Sequence, residues 1–174
     1  DTYPTGFTPR LEGHGNDFSS VIGVKGDDLF GLGYDFSTSY GSNKIHYLLR
    51  NSLNLSWGPN SPHNFVIGDL QQEETNFNAD FTYPMGDISV AFGAEWREEK
   101  YTMYEGQKES WMAGPWATIQ STFGYIPDTI KVNDDGTQDS IYYYTAPGLA
   151  ANGMPGTSPD AAGEFARQNT AFYV

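Results

Sequence analysis

Two stretches of this chain alternate residue by residue, and that period constrains the fold more than any other feature. Over residues 75–83 the odd positions are Thr75, Phe77, Ala79, Phe81 and Tyr83, set against Asn76, Asn78, Asp80 and Thr82. Over residues 32–40 the even positions are Leu32, Tyr34, Phe36, Thr38 and Tyr40, set against Gly33, Asp35, Ser37 and Ser39. A strand turns its side chains to opposite faces at each step, so each stretch carries one apolar and one polar face. Each is also long enough to cross a bilayer as a tilted strand. A water-filled barrel in lipid requires this arrangement of apolar outside and polar inside.

The chain has 174 residues, enough for one ordinary domain. It holds 12 Tyr, 11 Phe and 20 Gly, a mixture that favours many strands joined by tight turns over a helical bundle. The formal charge of −13 excludes a general nucleic-acid binder, because nothing offsets the phosphate charge. With no cysteine, zinc ribbons, thiol catalysis and disulfide scaffolds are excluded. No apolar run reaches the ~18 residues of a transmembrane helix. No signal peptide is visible and the chain opens on Asp1, so the sequence reads as a piece of something longer.

Along the chain, residues 1–15 read as loop, with Pro4, Gly6, Pro9, Gly13 and Gly15. Strand character starts near Asn16, with Phe18, Ser20, Ile22 and Val24 on one side. Asp27, Asp28 and Gly31 mark a short turn before the strand from Leu32, which continues toward Arg50. Its apolar set changes parity after Gly41, to Ile45, Tyr47 and Leu49, and a bulge near residues 41–43 would account for that. Residues 51–70 read as loop. Pro84, Met85, Gly86 and Asp87 form a tight turn. Ile88, Val90, Phe92, Ala94 and Trp96 then share a face. A long segment over residues 105–163 follows, with an inner hairpin around Asn133, Asp134, Asp135 and Gly136. A last strand begins near Phe165. The fold expected is all-β, with about five antiparallel up-and-down strands and connections that alternate long and short, the pattern of an outer-membrane barrel.

Several strings then resemble barrel segments of TonB-dependent outer-membrane receptors. They are Tyr3-Pro4, Gly6-Phe7-Thr8-Pro9-Arg10, Asp17-Phe18-Ser19, Gly23-Val24-Lys25-Gly26 and Ser39-Tyr40-Gly41-Ser42-Asn43. Leu49-Arg50-Asn51-Ser52, Gly58-Pro59, Ser61-Pro62, Asn78-Ala79-Asp80-Phe81 and residues 92–99 are similar too. The resemblance covers nearly all of the chain except about residues 118–151. It implies a segment, residues 1–174, of a barrel of about 22 strands around a plug. It further implies a Gram-negative outer-membrane location and active transport of a scarce nutrient: a siderophore, vitamin or oligosaccharide. The implied partners are outer-membrane lipid, the rest of the parent barrel and its plug, the TonB complex reached through the parent protein, and the nutrient. The chain departs from the family pattern in lacking a plug domain, an energy-coupling segment near the N-terminus and a C-terminal aromatic strand end. Five strands cannot close such a barrel, so transport belongs to the parent.

On this reading Phe18, Ile22, Leu32, Tyr34, Phe36, Phe77, Phe81, Ile88, Val90 and Phe92 face lipid. Trp96 joins that face and, with Tyr40 and Tyr83, sits at the interfaces. Asp35, Asn76, Asn78, Asp80, Glu95 and Arg97 face the lumen. Loop aromatics are the ligand-binding candidates: Tyr101, Tyr104, Trp111, Trp116 and the run Tyr142, Tyr143, Tyr144, which could stack on a sugar or catecholate. His14, His46 and His63 show no metal spacing and read as loop histidines. Lys131 stands where a calcium loop built on Asn133–Asp139 would need its first carboxylate. Glu98 and Glu99 read as a solvated strand rather than a pair of catalytic acids. With no nucleophile elbow, P-loop or dinucleotide fingerprint, neither an enzyme nor a cofactor is expected. Two other readings are a soluble β-sandwich carbohydrate-binding module and a strand-rich fragment that assembles into filaments.

Overall fold

The computed structural model describes residues 3–121, 129–145 and 150–174, with side chains omitted at 118–121, 129 and 140–145. Five long strands form one antiparallel meander: β1 (Arg10–Leu29), β2 (Leu32–Arg50), β3 (Phe65–Met85), β4 (Ile88–Met103) and, after a long excursion, β8 (Gly163–Tyr173). The order β1-β2-β3-β4-β8 leaves β1 and β8 as edges. Within the excursion, β5 (Thr118–Ser121), β6 (Thr129–Val132) and β7 (Gln138–Thr145) form a small sheet in the order β5-β7-β6. The inner hairpin anticipated around residues 133–136 is therefore present, with a third strand added. An all-β, five-stranded up-and-down sheet is present as expected.

The main strands run longer than the sequence pattern indicates, at 20, 19, 21 and 16 residues for β1 to β4. The expected loops over 1–15 and 51–70 shrink accordingly, since β1 already begins at Arg10 and β3 at Phe65. Backbone pairing continues past the end of the alternation because it depends on neighbouring strands and not on side-chain polarity. Both short connections are two-residue turns. Phe30 and Gly31 both take positive φ, 57° and 86°, the hairpin turn whose twist matches its strands, and the Asp28 carboxylate accepts from Gly31 N–H. Gly86 alone is positive in the second turn, at 67°, and Met85 pairs with Ile88 across it.

The expected bulge at 41–43 is not needed. Even-numbered side chains of β2 meet odd-numbered side chains of β3 on both sides of it: Tyr40 with Glu73, Ser42 with Gln71, and Lys44 with Asp69. What changes after Gly41 is which face is apolar, while the direction of the side chains stays the same.

The chain divides into two compact units. One is a sheet unit: His14–His46, Asp69–Tyr104 and Ala162–Val174. The other is a loop unit: Asp1–Gly13, Tyr47–Gly68 and Glu105–Ala161. The small apolar core belongs to the loop unit and consists of Leu49, Phe65, Ile67 and Ala151, with Tyr47 and Met154 packed against it. Beside it lies a buried polar knot of Ser52, Asn54, Ser56 and Ser110, none of them solvent-accessible. The Asn54 amide donates to the Glu109 and Met112 carbonyls (2.8 and 3.2 Å) and its oxygen accepts from Ser56 N–H and Oγ–H. Ser56 Oγ in turn accepts from Gly114 N–H at 2.9 Å. Gly156 lies so close to Ser110 that an added Cβ would come within 1.8 Å of its Oγ.

Asn54→Leu removes these partners from inside the knot, and each buried polar group left unpaired costs about 1–3 kcal/mol. The expected outcome is loss of amide-exchange protection in residues 104–117 with protection in the β3–β4 hairpin retained. Equal loss in both would show that the knot does not act locally.

Candidate functional site

The register between β3 and β4 places like residues opposite one another. Phe77 pairs with Trp96, Ala79 with Ala94, Phe81 with Phe92, Tyr83 with Val90 and Met85 with Ile88. One face of the hairpin is thus a ladder of rings. Phe81 stacks on Phe92 at 5.4 Å and meets Phe36 of β2 edge-on at 5.5 Å, while Phe77 tilts against Trp96 at 5.6 Å. β1 adds Phe18, whose ring contacts Tyr40, and Ile22 and Val24, which join Phe36, Phe77 and Trp96 around an apolar concavity of about 710 Å³. β8 adds Phe172, opposite Ala94. The residues expected to share the lipid side, Leu32, Tyr34 and the rest, all fall on this face. Phe172 and Met85 extend it.

Among the described residues this face has no cover. Phe18, Ile22, Phe77, Ile88 and Phe172 are exposed, Ile22 by 73% and Phe172 by 79%. A monomeric soluble protein rarely leaves a contiguous apolar patch larger than about a few hundred Å² in water. From Phe77 to Met85 the apolar ladder measures eight steps, about 27 Å along the strand at about 3.4 Å per residue. The same face turns polar immediately beyond Phe77 and Trp96. Thr75 pairs with Glu98, Glu73 with Lys100 and Gln71 with Thr102.

That polar zone is closely linked. Tyr40 Oη–H donates to Glu73 at 2.6 Å, and Lys100 bridges Glu73 and Glu164 at 3.2 and 3.6 Å. Lys44 binds Asp69 at 2.9 Å and lies 4.2 Å over the Tyr104 ring, while His46 Nδ1 bonds the other Asp69 oxygen. Partial burial raises the Asp69 pKa, but the hydrogen bonds from Lys44 and His46 outweigh it and hold the carboxyl below its ordinary range. The Tyr40 hydroxyl, more than Lys100, does the same for Glu73 against a smaller burial effect. His14 and His46 sit on β1 and β2 rather than in loops, and His46 has a hydrogen-bond partner in Asp69.

The opposite face carries Asp35, Asn76, Asn78, Asp80, Glu95 and Arg97, as the alternation requires. Asn76 pairs with Arg97 and Asn78 with Glu95. The Asn76 amide donates to Ser39 Oγ at 3.1 Å and to Glu74 at 2.8 Å. Asn76 Oδ1 and Arg97 Nε are buried with no hydrogen-bond partner among the described residues, a pair that suits a water or a hydroxyl. Arg167 bonds Glu99, and Tyr173 crosses over Gly93, where an added Cβ would meet its hydroxyl at 2.4 Å.

Each loop aromatic with a described side chain has contacts of its own. Tyr101 lies on β4, and Tyr104 follows its last residue. Tyr101 pairs with Phe165, while the Tyr104 hydroxyl donates to Gln71 at 2.7 Å. Trp111 donates to the Gly106 carbonyl at 3.2 Å and is half-buried, so it packs its own loop. Trp116 closes over Gly58, where an added Cβ would lie 2.9 Å from the ring. The backbone of Tyr142, Tyr143 and Tyr144 pairs within the small sheet, and their side chains lie outside the described residues. Trp57, overlooked among the aromatics of the sequence, donates to the Met112 carbonyl at 3.0 Å. The turn at 133–139 uses its oxygens internally: Asp135 accepts from Thr137 and Asp139 from Asn133.

No protein-family model, curated protein or solved structure matches the chain.

Because the folded pKa values of Asp69 and Glu73 are lowered, their contribution to stability is complete above the ordinary carboxylate pKa of about 4. It is lost as pH falls below that, through the lowered values. Amide protection factors, corrected for the intrinsic exchange rate at each pH, are expected to fall first in residues 40–46 and 69–73 between pH 6 and pH 2.5. A uniform fall across the sheet would contradict the assignment.

Proposed function

We propose that this chain is a segment of a closed transmembrane β-barrel in a Gram-negative outer membrane, of the TonB-dependent receptor type. Its apolar face lies against lipid and its polar face borders the aqueous interior. The observation that carries this reading is the uncovered ladder of rings, about one membrane-strand long, that ends abruptly in charged pairs on the same face. A soluble sandwich would place a second sheet over those rings, and none covers them among the described residues. Both two-residue turns join strands at one end of the meander, while the long connections join them at the other. Barrels of this class distribute periplasmic turns and external loops in the same way. Tyr40 and Trp96 stand at the upper limit of the apolar zone and Tyr83 near its lower limit, where amphipathic rings are favoured.

On this reading the segment supplies wall. The parent barrel, with its plug and its coupling to an inner-membrane energy source, supplies transport of a nutrient. The residues bordering the water path are Asp35, Asn76, Asn78, Asp80, Glu95 and Arg97. The segment itself carries out no covalent chemistry.

A charge on the lipid face near mid-membrane costs roughly 2–4 kcal/mol. With the segment carried in its parent barrel, Phe81→Arg is expected to lower the folded yield in lipid vesicles at least tenfold. The adjacent Asp80→Asn, on the water side, is expected to fold like the wild type. Equal yields for the two variants would overturn the proposal. The isolated chain is expected to need detergent to stay dispersed. A monodisperse monomer in plain buffer would favour the sandwich, and fibres without detergent would favour the filament.

A further inference from the structure

The loop unit holds a second feature that the barrel reading does not use. Three separate segments converge on an open concavity of about 580 Å³ lined by Tyr3, Arg10, Glu12, Arg50, His63 and neighbouring asparagines. The walls are tied by hydrogen bonds. The Asn51 side chain donates to the Thr8 carbonyl at 2.9 Å, and Ser52 N–H donates to the His63 carbonyl at 2.9 Å. The first fixes the N-terminal segment to the end of β2, and the second fixes the loop before β3 to the same place. Asn51 holds φ at 52°, and its N–H reaches the Asn64 side chain at 3.4 Å. The left-handed turn is thus braced on both sides.

The lining combines a ring platform with positive charge. Tyr3 stacks on Phe7 at 4.9 Å and tilts against His63 at 5.5 Å. Two of the four arginines of a chain with formal charge −13 meet here. Glu12 holds Arg50 through its Nε at 3.1 Å, whereas Arg10 has no ion-pair partner among the described residues. An exposed guanidinium beside a ring face, with a second guanidinium held in place by a carboxylate, is suited to an anion attached to a ring. The fork donates to the carboxylate oxygens and the aromatic surface takes the ring.

We infer that this concavity binds a ring-bearing carboxylate, with Arg10 as the primary anion contact, Arg50 as the second, and Tyr3 and His63 as the stacking surface. The ring can be aromatic or that of a sugar acid, since both present a flat face and a carboxylate at similar reach. The inference does not depend on the membrane reading, because every contact lies within the loop unit.

The test is calorimetric titration of the full chain in detergent with benzoate and with glucuronate, each against its uncharged counterpart, benzamide or glucose. At least one acid is expected to bind at least about tenfold tighter than its neutral counterpart, a difference of the size that charged hydrogen bonds provide. That preference is expected to shrink as salt rises. Which acid prevails identifies the ring class. Arg10→Gln is expected to abolish the preference. Glu12→Gln, which frees Arg50, is expected to strengthen binding, a gain that a misfolded variant cannot produce. Acid and neutral probes bound alike, neither probe bound, or Glu12→Gln without gain would each overturn the inference.

Discussion

Antiparallel pairing of β3 with β4 puts Phe81 opposite Phe92 and Asp80 opposite Gly93. Moving that pairing by one residue would set the rings of each strand against residues of the other strand's opposite face and exchange the two faces along the whole hairpin. Every other property of the sheet unit follows from this register. It aligns Phe77 with Trp96 at the edge of the apolar zone, and it brings Glu73 to Lys100 just beyond it. The aromatic contacts across β2, β3 and β4 then stabilise a register that backbone bonds alone would leave free to slip. Tight turns at Phe30–Gly31 and Gly86–Asp87 fix it from the other end.

The two units are held by different physics. Among the described residues, the sheet unit contributes nothing to the apolar core and relies on cross-strand pairs. Among the described residues, the loop unit buries four apolar side chains and four polar ones, and its carbonyls are satisfied by backbone N–H groups together with asparagine and serine side chains. A long connection of ordinary composition would carry unpaired backbone into its interior. Here Asn54 and Ser56 accept and donate where no regular structure reaches.

The alternation at 32–40 and 75–83 was enough to read the meander, its two turns and the identity of its two faces. Phe18, Phe36 and Phe81 lie where period two requires. The strand ends were not legible, because residues such as Gln71, Glu73 and Lys44 have polar neighbours on both faces and lose the alternation while keeping the pairing. For the same reason the parity change at Ile45, Tyr47 and Leu49 read as a bulge, when it marks the point where the apolar face ends and Leu49 enters the loop core. The contacts of Tyr101, Tyr104, Trp111 and Trp116 were not legible, because a sequence shows which residues are aromatic but not what each one packs against. The polar knot left one local sign, Asn54 two residues before Ser56, the spacing at which an asparagine side chain caps its own turn.

Among the described residues, β1 and β8 have neighbours on one flank only. On the other flank, every second residue presents an amide and a carbonyl with no partner in the sheet. Over an apolar crossing of about nine residues this leaves roughly four or five such residues on each side, and hydrocarbon charges several kcal/mol for each group. That sum exceeds the whole folding stability of a typical domain, about 5–15 kcal/mol. On the membrane reading proposed above, both flanks must therefore be occupied before, or at the moment that, the sheet enters a bilayer. The joining of strands and the crossing of lipid would then form one event, with no step that passes through a lone inserted ribbon.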